Sequence, residues 1–574
     1  LLPLWAYAQT AFLPVAEVRA GMRGTGKTVF QGDRIEEFGV EILGVLENIG
    51  PKQSLILARL SGGPLEKTGV MQGMSGSPVY VEGKLVGAVA MAFPFSKEPI
   101  AGIRPIHEML QAGAAPERTV RAGFSLVDTD LTRLLPKRGE AAAGDLRLVD
   151  VATPVSFSGF SRATIDHFAP QLRALGLEPQ QGVAGGGSLE LKLGDPKRLQ
   201  PGSMISVQLM SGDLAIGADG TVTHIDGNRV YAFGHRFLSV GSTALPFARS
   251  EVLTLLPVLS SSFKISAARE LMGTILQDRN TAVAGELGKL AGMVPVSIAV
   301  SRAGRTLDAY NMRMVNDRFL SPLLVQMAVF SAIDATERAV GAATFRIKGQ
   351  IEFQGAAPIE LQNMFAGDAG SAAQVSLSAA IPLAYVLQGG FESLHVKRVA
   401  LSIDSFDEKK QLQIAQVIAS RREVRPGETV RLTAIFSGEN GADVTRTLDY
   451  RVPDGASPGP IYFTVADGAT TNMTELRQTI ETAPRSPGQL ISTVNSLRAN
   501  TKAYVRVWRG EPAFQIDGGD LPDPPPSVAL ILAGSQTGHA GMTQTRNAKV
   551  GELEIAVGDM VVTGSKTLQV EVKE

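Results

Sequence analysis

Gln72-Gly73-Met74-Ser75-Gly76-Ser77-Pro78-Val79-Tyr80, running on into Glu82-Gly83-Lys84-Leu85-Val86-Gly87-Ala88, sets a serine between two glycines and follows it with an alternating apolar strand. A nucleophile held on a tight loop needs such neighbours. Gly73 and Gly76 can adopt positive φ, and their missing side chains leave room for a substrate backbone. The Gly73 and Ser75 amides are then the expected donors to an oxyanion. The same letters also fit a Gly/Ser-rich hairpin turn, so residues elsewhere must decide between the two readings.

Working outward, 574 residues are too many for one core and imply several domains. Hydrophobic residues make up 44% and charged residues 19%, the balance of a globular chain. Lys+Arg (55) and Asp+Glu (56) nearly cancel, with no basic run to follow a phosphate backbone, which argues against nucleic acid as a partner. The absence of cysteine excludes a thiol nucleophile, thiolate metal sites and disulfides. Leu1-Leu2-Pro3-Leu4-Trp5-Ala6-Tyr7-Ala8-Gln9 reads as the end of a secretory signal peptide cleaved after Ala6-Tyr7-Ala8. A mature, secreted chain from about Gln9, periplasmic or extracellular, is therefore expected. No later apolar run reaches the ~18 residues of a transmembrane segment.

Residues 9–111, the unit that carries Ser75, contain short apolar runs separated by Gly, Pro and Asp, the pattern of a β-barrel or sandwich. Within them Gly21-Met22-Arg23-Gly24-Thr25-Gly26-Lys27-Thr28 spells G-x-x-x-x-G-K-[ST]. A phosphate loop needs a helix after it, whereas Val29-Phe30-Gln31-Gly32-Asp33-Arg34 continues as strand and turn, so no nucleotide is expected. Residues 112–200 read as an insert with a helix near 162–175, broken by Pro170, and a flexible Gly182–Ser188 connection. Residues 201–310 return to strands, with Asp226-Gly227-Asn228 as a hairpin turn and Gly234-His235-Arg236-Phe237 closing the run from Arg229 to Phe233. A histidine after a glycine at a strand end can lean into a cleft. Paired with Ser75, His235 is a candidate general base.

These segments resemble the sporulation stage IV protein B (SpoIVB) serine peptidases. The resemblance rests on Gln72–Pro78 with Gly83–Val89, on Thr28-Val29-Phe30, Arg34–Ile42 and Leu65–Gly69 upstream, and on Gly220–Thr223 with Tyr231–His235. It implies a mainly β protein with a chymotrypsin-like double β-barrel, Ser75 as nucleophile and His235 as base, acting on a protein or peptide substrate. Here the serine block comes first, by 235 − 75 = 160 residues, so the order is permuted relative to the family. Geometry rather than chain order defines a catalytic constellation. The stretch that matches the family's acid, Ala58–Leu65, has no carboxylate; Ser61 stands near that place, and Glu66, Asp33 and Asp226 are further candidates. Ser61 together with a backbone carbonyl is the alternative to those carboxylates for orienting the imidazole, and a Ser–His dyad is the expectation.

Histidines 107, 167, 224, 235, 395 and 539 show no metal-binding spacing, and no metal or cofactor is expected. His167 and His224 read as structural. Residues 311–395 read as an α+β support region with helices from 319 towards 339 and around 370–387 and a strand at 344–353. Residues 396–470 read as an immunoglobulin-like β-sandwich opened by Ala400-Leu401-Ser402-Ile403, and 471–574 as a helical and β region with a stiff linker at 520–526. Two functions compete: an exported serine endopeptidase, or an inactive envelope scaffold that binds peptide or protein through the retained fold.

Overall fold

The computed structural model describes residues 11–93, 96–114, 123–137, 148–182, 192–259, 261–302, 304–336, 340–439, 441, 443–478, 486–510, 513–516, 519–521, 524–534, 542–545 and 547–574. The expected signal segment, most of the Gly182–Ser188 connection and part of the 520–526 linker lie outside these residues.

Six strands, β1 (Arg23–Gln31), β2 (Arg34–Gly50), β3 (Gln53–Ser61), β4 (Pro78–Val81), β5 (Lys84–Ala92) and β6 (Ile100–Pro105), pair in the order β4-β1-β2-β3-β6-β5 and close through β4–β5 into a barrel. Period-2 patterning drives this closure. Phe38, Val40 and Ile42 alternate into a core shared with Ile56, Val79 and Val89. The G-x-x-x-x-G-K-T letters fall largely on β1. A Cβ on Gly24 would lie 2.1 Å from Tyr80 O, and one on Gly26 would lie 2.1 Å from the Phe38 ring. Those glycines serve close strand packing.

A 13-stranded sheet follows. Within it β10 (Met204–Gly212), β13 (Gly241–Leu256), β14 (Phe263–Arg279), β15 (Ala282–Leu287), β12 (Arg229–Ala232) and β11 (Ala215–Asp226) form a ring of pairings that returns through β10–β11. The expected hairpin is present, with Asp226 opposite Arg229 and Gly227 at φ 60°. The sheet continues from β10 through β17 (Arg305–Val315), β16 (Met293–Arg302), β20 (Val396–Phe406), β18 (Val340–Phe353) and β19 (Ala356–Ala369). The helices α4 (Leu320–Thr336) and α5 (Ser371–Gln388) pack against each other and on this extension. Asp317 caps α4 by accepting from the Phe319 and Leu320 amides at 2.9 and 3.0 Å.

Three expectations need correcting. Ala400–Ile403 does not open the sandwich: as part of β20 it pairs with β16 and β18, because its buried side chains complete the core beneath α4 and α5. The strands expected to end near residue 470 belong to two sheets that share one core and reach further. A four-stranded sheet includes Gln411–Ala419, Thr429–Gly438 and Asp443–Arg451, and a five-stranded sheet takes Lys502–Arg509, Ala548–Ala556 and Ser565–Val572 from the last hundred residues. Pro170 does not break the insert's helix. The helix α3 (Arg162–Ala174) runs through it, started by Ser161, whose Oγ accepts from Thr164 N. Among the described residues no helix is long and apolar enough to cross a membrane.

Candidate active site

The loop from Gln72 to Ser77 bends at two left-handed glycines, Gly73 (φ 89°) and Gly76 (φ 92°). The Met74 amide donates to Met71 O, just before the loop, at 3.1 Å, and the Ser77 amide to Met74 O within it at 2.9 Å. Among the described residues nothing accepts from the Gly73 or Ser75 amide. Both expected oxyanion donors are thus available on one turn.

The histidine-bearing sheet grips this loop from the outside. Thr221 N–H donates to Ser75 O at 2.9 Å, Thr221 Oγ1 to Gly73 O at 2.8 Å, and Thr223 Oγ1 to Gly76 O at 2.7 Å. On the other side Gln72 N–H donates to Ser262 O and Lys264 N–H to Gln72 O. A Cβ on Gly76 would fall 2.0 Å from Thr221 O and 2.5 Å from Phe233 N, so the serine loop touches the chain just before His235. Reciprocally, a Cβ on Gly234 would lie 3.1 Å from Val89 O, the acceptor of the Gly76 amide at 2.8 Å. The immediate neighbours of Ser75 and His235 therefore meet across one seam.

Both side chains are fully buried. Ser75 Oγ makes no hydrogen bond among the described residues, an omission that costs about 1–3 kcal/mol in a folded interior. His235 Nδ1 lies 2.7 Å from Arg236 O. A carbonyl can only accept, so Nδ1 carries the proton and, in the neutral ring, Nε2 carries the lone pair. That is the tautomer a general base requires.

Backbone strain fixes the histidine turn. Phe233, a non-glycine residue, sits at φ 70°, and Gly234 follows at 70°. Such a residue costs on the order of 1–3 kcal/mol. Burial of the Phe233 ring against Gly220 and Phe237 holds it in place. Beyond His235, Asp278 gathers the chain by accepting from the Phe237, Leu238 and Val240 amides at 2.8, 2.6 and 3.2 Å.

Of the four third-member candidates, Asp33 is paired with Arg249 at 3.0 Å, Ser61 stands at the exposed end of β3 opposite Gly39, and Glu66 and Asp226 are exposed. The group at Nδ1 is the Arg236 carbonyl. His224 sits on β11 between Phe12 and Tyr231, and burial holds its pKa below the usual value against the opposing charge of Asp226. His167 stacks on Phe330 at 4.5 Å.

Two buried ionisable groups escaped the sequence reading. The Lys264 stem passes 3.2 Å from where a Gly73 Cβ would stand, and its Nζ donates to Thr28 Oγ1 at 2.7 Å, which in turn accepts from Ser77 Oγ at 3.1 Å. Burial pushes the Lys264 ammonium down to about 7, against the attraction of Asp219. Burial likewise pushes the Asp219 carboxyl up to about 6, against hydrogen bonds from Ser266 and Ser206 and the Lys264 charge. The available signal was Phe263-Lys264-Ile265-Ser266-Ala267, whose alternation turns a lysine and a serine to one face.

A cleft of about 790 Å³ opens beside the seam, and Gln72 and Arg236, next to the two site loops, both line it. Its far wall includes Pro170, Arg173 and Leu177, from α3 and the strand β9 (Leu177–Gln181), so the insert forms one side of the cleft. Gln180 Nε2 reaches Gln72 Oε1 at 3.4 Å.

Residues 8–109 match the family model described as SpoIVB peptidase S55. No curated protein and no solved structure matches the chain. The matched span carries Ser75 and ends before His235.

Proposed function

We propose that the chain is an exported serine endopeptidase of the SpoIVB type, with Ser75 as nucleophile and His235 as general base. The observation that carries this reading is the pair of reciprocal contacts, Gly76 on Phe233 and Gly234 on Val89, together with the proton on His235 Nδ1. His235 Nε2 takes the Ser75 Oγ proton as Oγ attacks the scissile carbonyl. The Gly73 and Ser75 amides hold the resulting oxyanion. The imidazolium returns its proton to the departing amine as the acyl-enzyme forms, and water then repeats the sequence to release the acid.

The Arg236 carbonyl, accepting from Nδ1, helps to orient the imidazole in this reading. On this reading the two strand rings correspond to the barrels of a permuted chymotrypsin-like fold. Substrates are polypeptides met in the periplasm or outside the cell. The C-terminal strands serve as an immunoglobulin-like binding or spacing module.

A fluorophosphonate probe tests the reading. It should label the wild-type chain at a single serine, lose that label in Ser75→Ala, and label His235→Gln at least about 100-fold more slowly. One observation favours the inactive-scaffold alternative, the complete burial of Ser75. That alternative wins if no label enters even after the occluding segment described next is displaced.

A further inference from the structure

One edge of β5 changes partner along its length. Pro78–Val81 pairs with it from Ala88 back to Lys84, and the serine loop then takes Val89, through Gly76 N–H to Val89 O at 2.8 Å and Val89 N–H to Ser77 O at 3.0 Å. The next residues are taken by the chain's own segment around β7 (Val149–Asp150). Val151 N–H donates to Ala90 O at 2.9 Å, Asp150 lies opposite Met91, and Val149 lies opposite Ala92. The segment runs antiparallel to β5. Read from Val149 to Ala152 it advances towards the serine loop, and Leu148 to Ala152 all line the cleft. Val151 is 5% exposed.

Here the edge of a sheet passes directly from the loop of a nucleophile to an extended peptide. Strand addition is a common mode of polypeptide recognition: main-chain hydrogen bonds supply affinity, and alternate side chains supply specificity. We propose that Ala90–Ala92 is the polypeptide-binding track of this protein and that Leu148–Ala152 occupies it as an internal ligand. The external ligand is an extended polypeptide lying antiparallel to β5, with a small apolar residue in the place of Val151, the last one before the serine loop. The internal strand is tied down just beyond, where Thr153 N–H donates to Gly176 O at 3.1 Å. A tethered competitor acts at an effective concentration on the order of millimolar, so it holds the track against micromolar substrate. Emptying the track is expected to open the side of the serine loop next to Val151, where Ser75 is buried. The consequence for activity rests on the peptidase reading. The occupation itself does not.

Two full-length variants test it in opposite directions. Val151→Pro removes the donor to Ala90 O. Met91→Cys/Asp150→Cys creates a disulfide across the track, in a chain with no other cysteine. With Val151 and Ala90 hydrogen-bonded, Met91 and Asp150 form the close, non-hydrogen-bonded pair that suits such a bond. Fluorophosphonate labelling of Ser75 should rise at least about 10-fold in Val151→Pro. It should fall at least about 10-fold in the oxidised double variant and return to the wild-type rate on reduction. A fluorescent peptide copying residues 147–153 should bind Val151→Pro/Ser75→Ala at least about 10-fold more tightly than Ser75→Ala alone.

Labelling and peptide binding unmoved by either variant overturn the proposal and leave the peptidase reading standing. Peptide binding in the expected order without any labelling supports the track and removes the peptidase. Should Val151→Pro fail to fold, the disulfide variant decides, by its response to reductant in labelling or in peptide binding.

Discussion

The serine–histidine seam and the C-terminal sandwich are both built from β-sheet and both bury charge, but they join their halves differently. The sandwich buries Phe436, Phe463, Val465 and Val505 between its sheets, and the charges it buries are hydrogen-bonded to backbone: Asp467 accepts from the Thr470 and Gly564 amides, and Arg509 donates to the Ser457 and Pro458 carbonyls. Nearer its edge Arg498 is shared between Glu475 and Glu552, with Lys549 2.6 Å from Glu475. The seam buries a lysine, an aspartate, a histidine and an unsatisfied serine hydroxyl, and joins its halves instead through backbone carbonyls, threonine hydroxyls and side-chain-free glycines. The sandwich is held by area and tolerates change. The seam is held by fit, and it concentrates desolvation cost where chemistry is proposed.

Adding one methyl group in each region tests that difference. Gly76→Ala places a side chain at φ 92° and 2.0 Å from a backbone oxygen. It should cost at least about 3 kcal/mol in urea unfolding and abolish labelling of Ser75. Asp278→Ala leaves the Phe237, Leu238 and Val240 amides without their acceptor. About 2–3 kcal/mol of stability should go, and Ser75 labelling should slow as the histidine turn loosens.

The buried pair gives the seam a pH signature. Above about pH 7 the folded chain releases the Lys264 proton while the unfolded chain keeps its own until about 10.5, so stability rises with pH. From about pH 4 to 6 the folded chain retains the Asp219 proton that the unfolded chain loses, so stability falls. A minimum near pH 6–7 is expected, with limbs of up to about 1.4 kcal/mol per pH unit. Urea midpoints measured across pH should show it in the wild type and lose it in Lys264→Met/Asp219→Asn. The smallest effect belongs to the sandwich: a Cβ at Gly551 meets nothing within 4 Å, so Gly551→Ala should shift stability by no more than about 0.5 kcal/mol.

Much of this contrast was visible in the residues before any coordinates. The serine loop, the glycine before His235, the Asp226 hairpin and the strands of the first barrel declare themselves through local patterns, since turns and period-2 alternation are properties of neighbouring residues. The clamps are not local. Thr221 and Thr223 reach carbonyls 148 and 147 positions away, and Lys264 reaches Thr28 across 236. Nothing in Thr221-Val222-Thr223 itself distinguishes a clamp from an ordinary strand. The allocation of strands after residue 396 failed for the same reason. β20 resembles the strands that follow it, and only its partners, β16 and β18, assign it to a different sheet. The role of the insert was illegible because a cleft wall is defined by what faces it.

The 160 residues between Ser75 and His235 also set an order in time. During synthesis at roughly 5–20 residues per second the serine barrel, which ends at Pro105, is complete about 6.5–26 s before the imidazole exists, 235 − 105 = 130 residues later. On the proposed reading, a half-made chain is chemically inert, and its nucleophile loop still lacks the clamps from Thr221 and Thr223. A ribosome or an export channel would thus handle a hydrolase that arms itself only when its last essential strand has arrived.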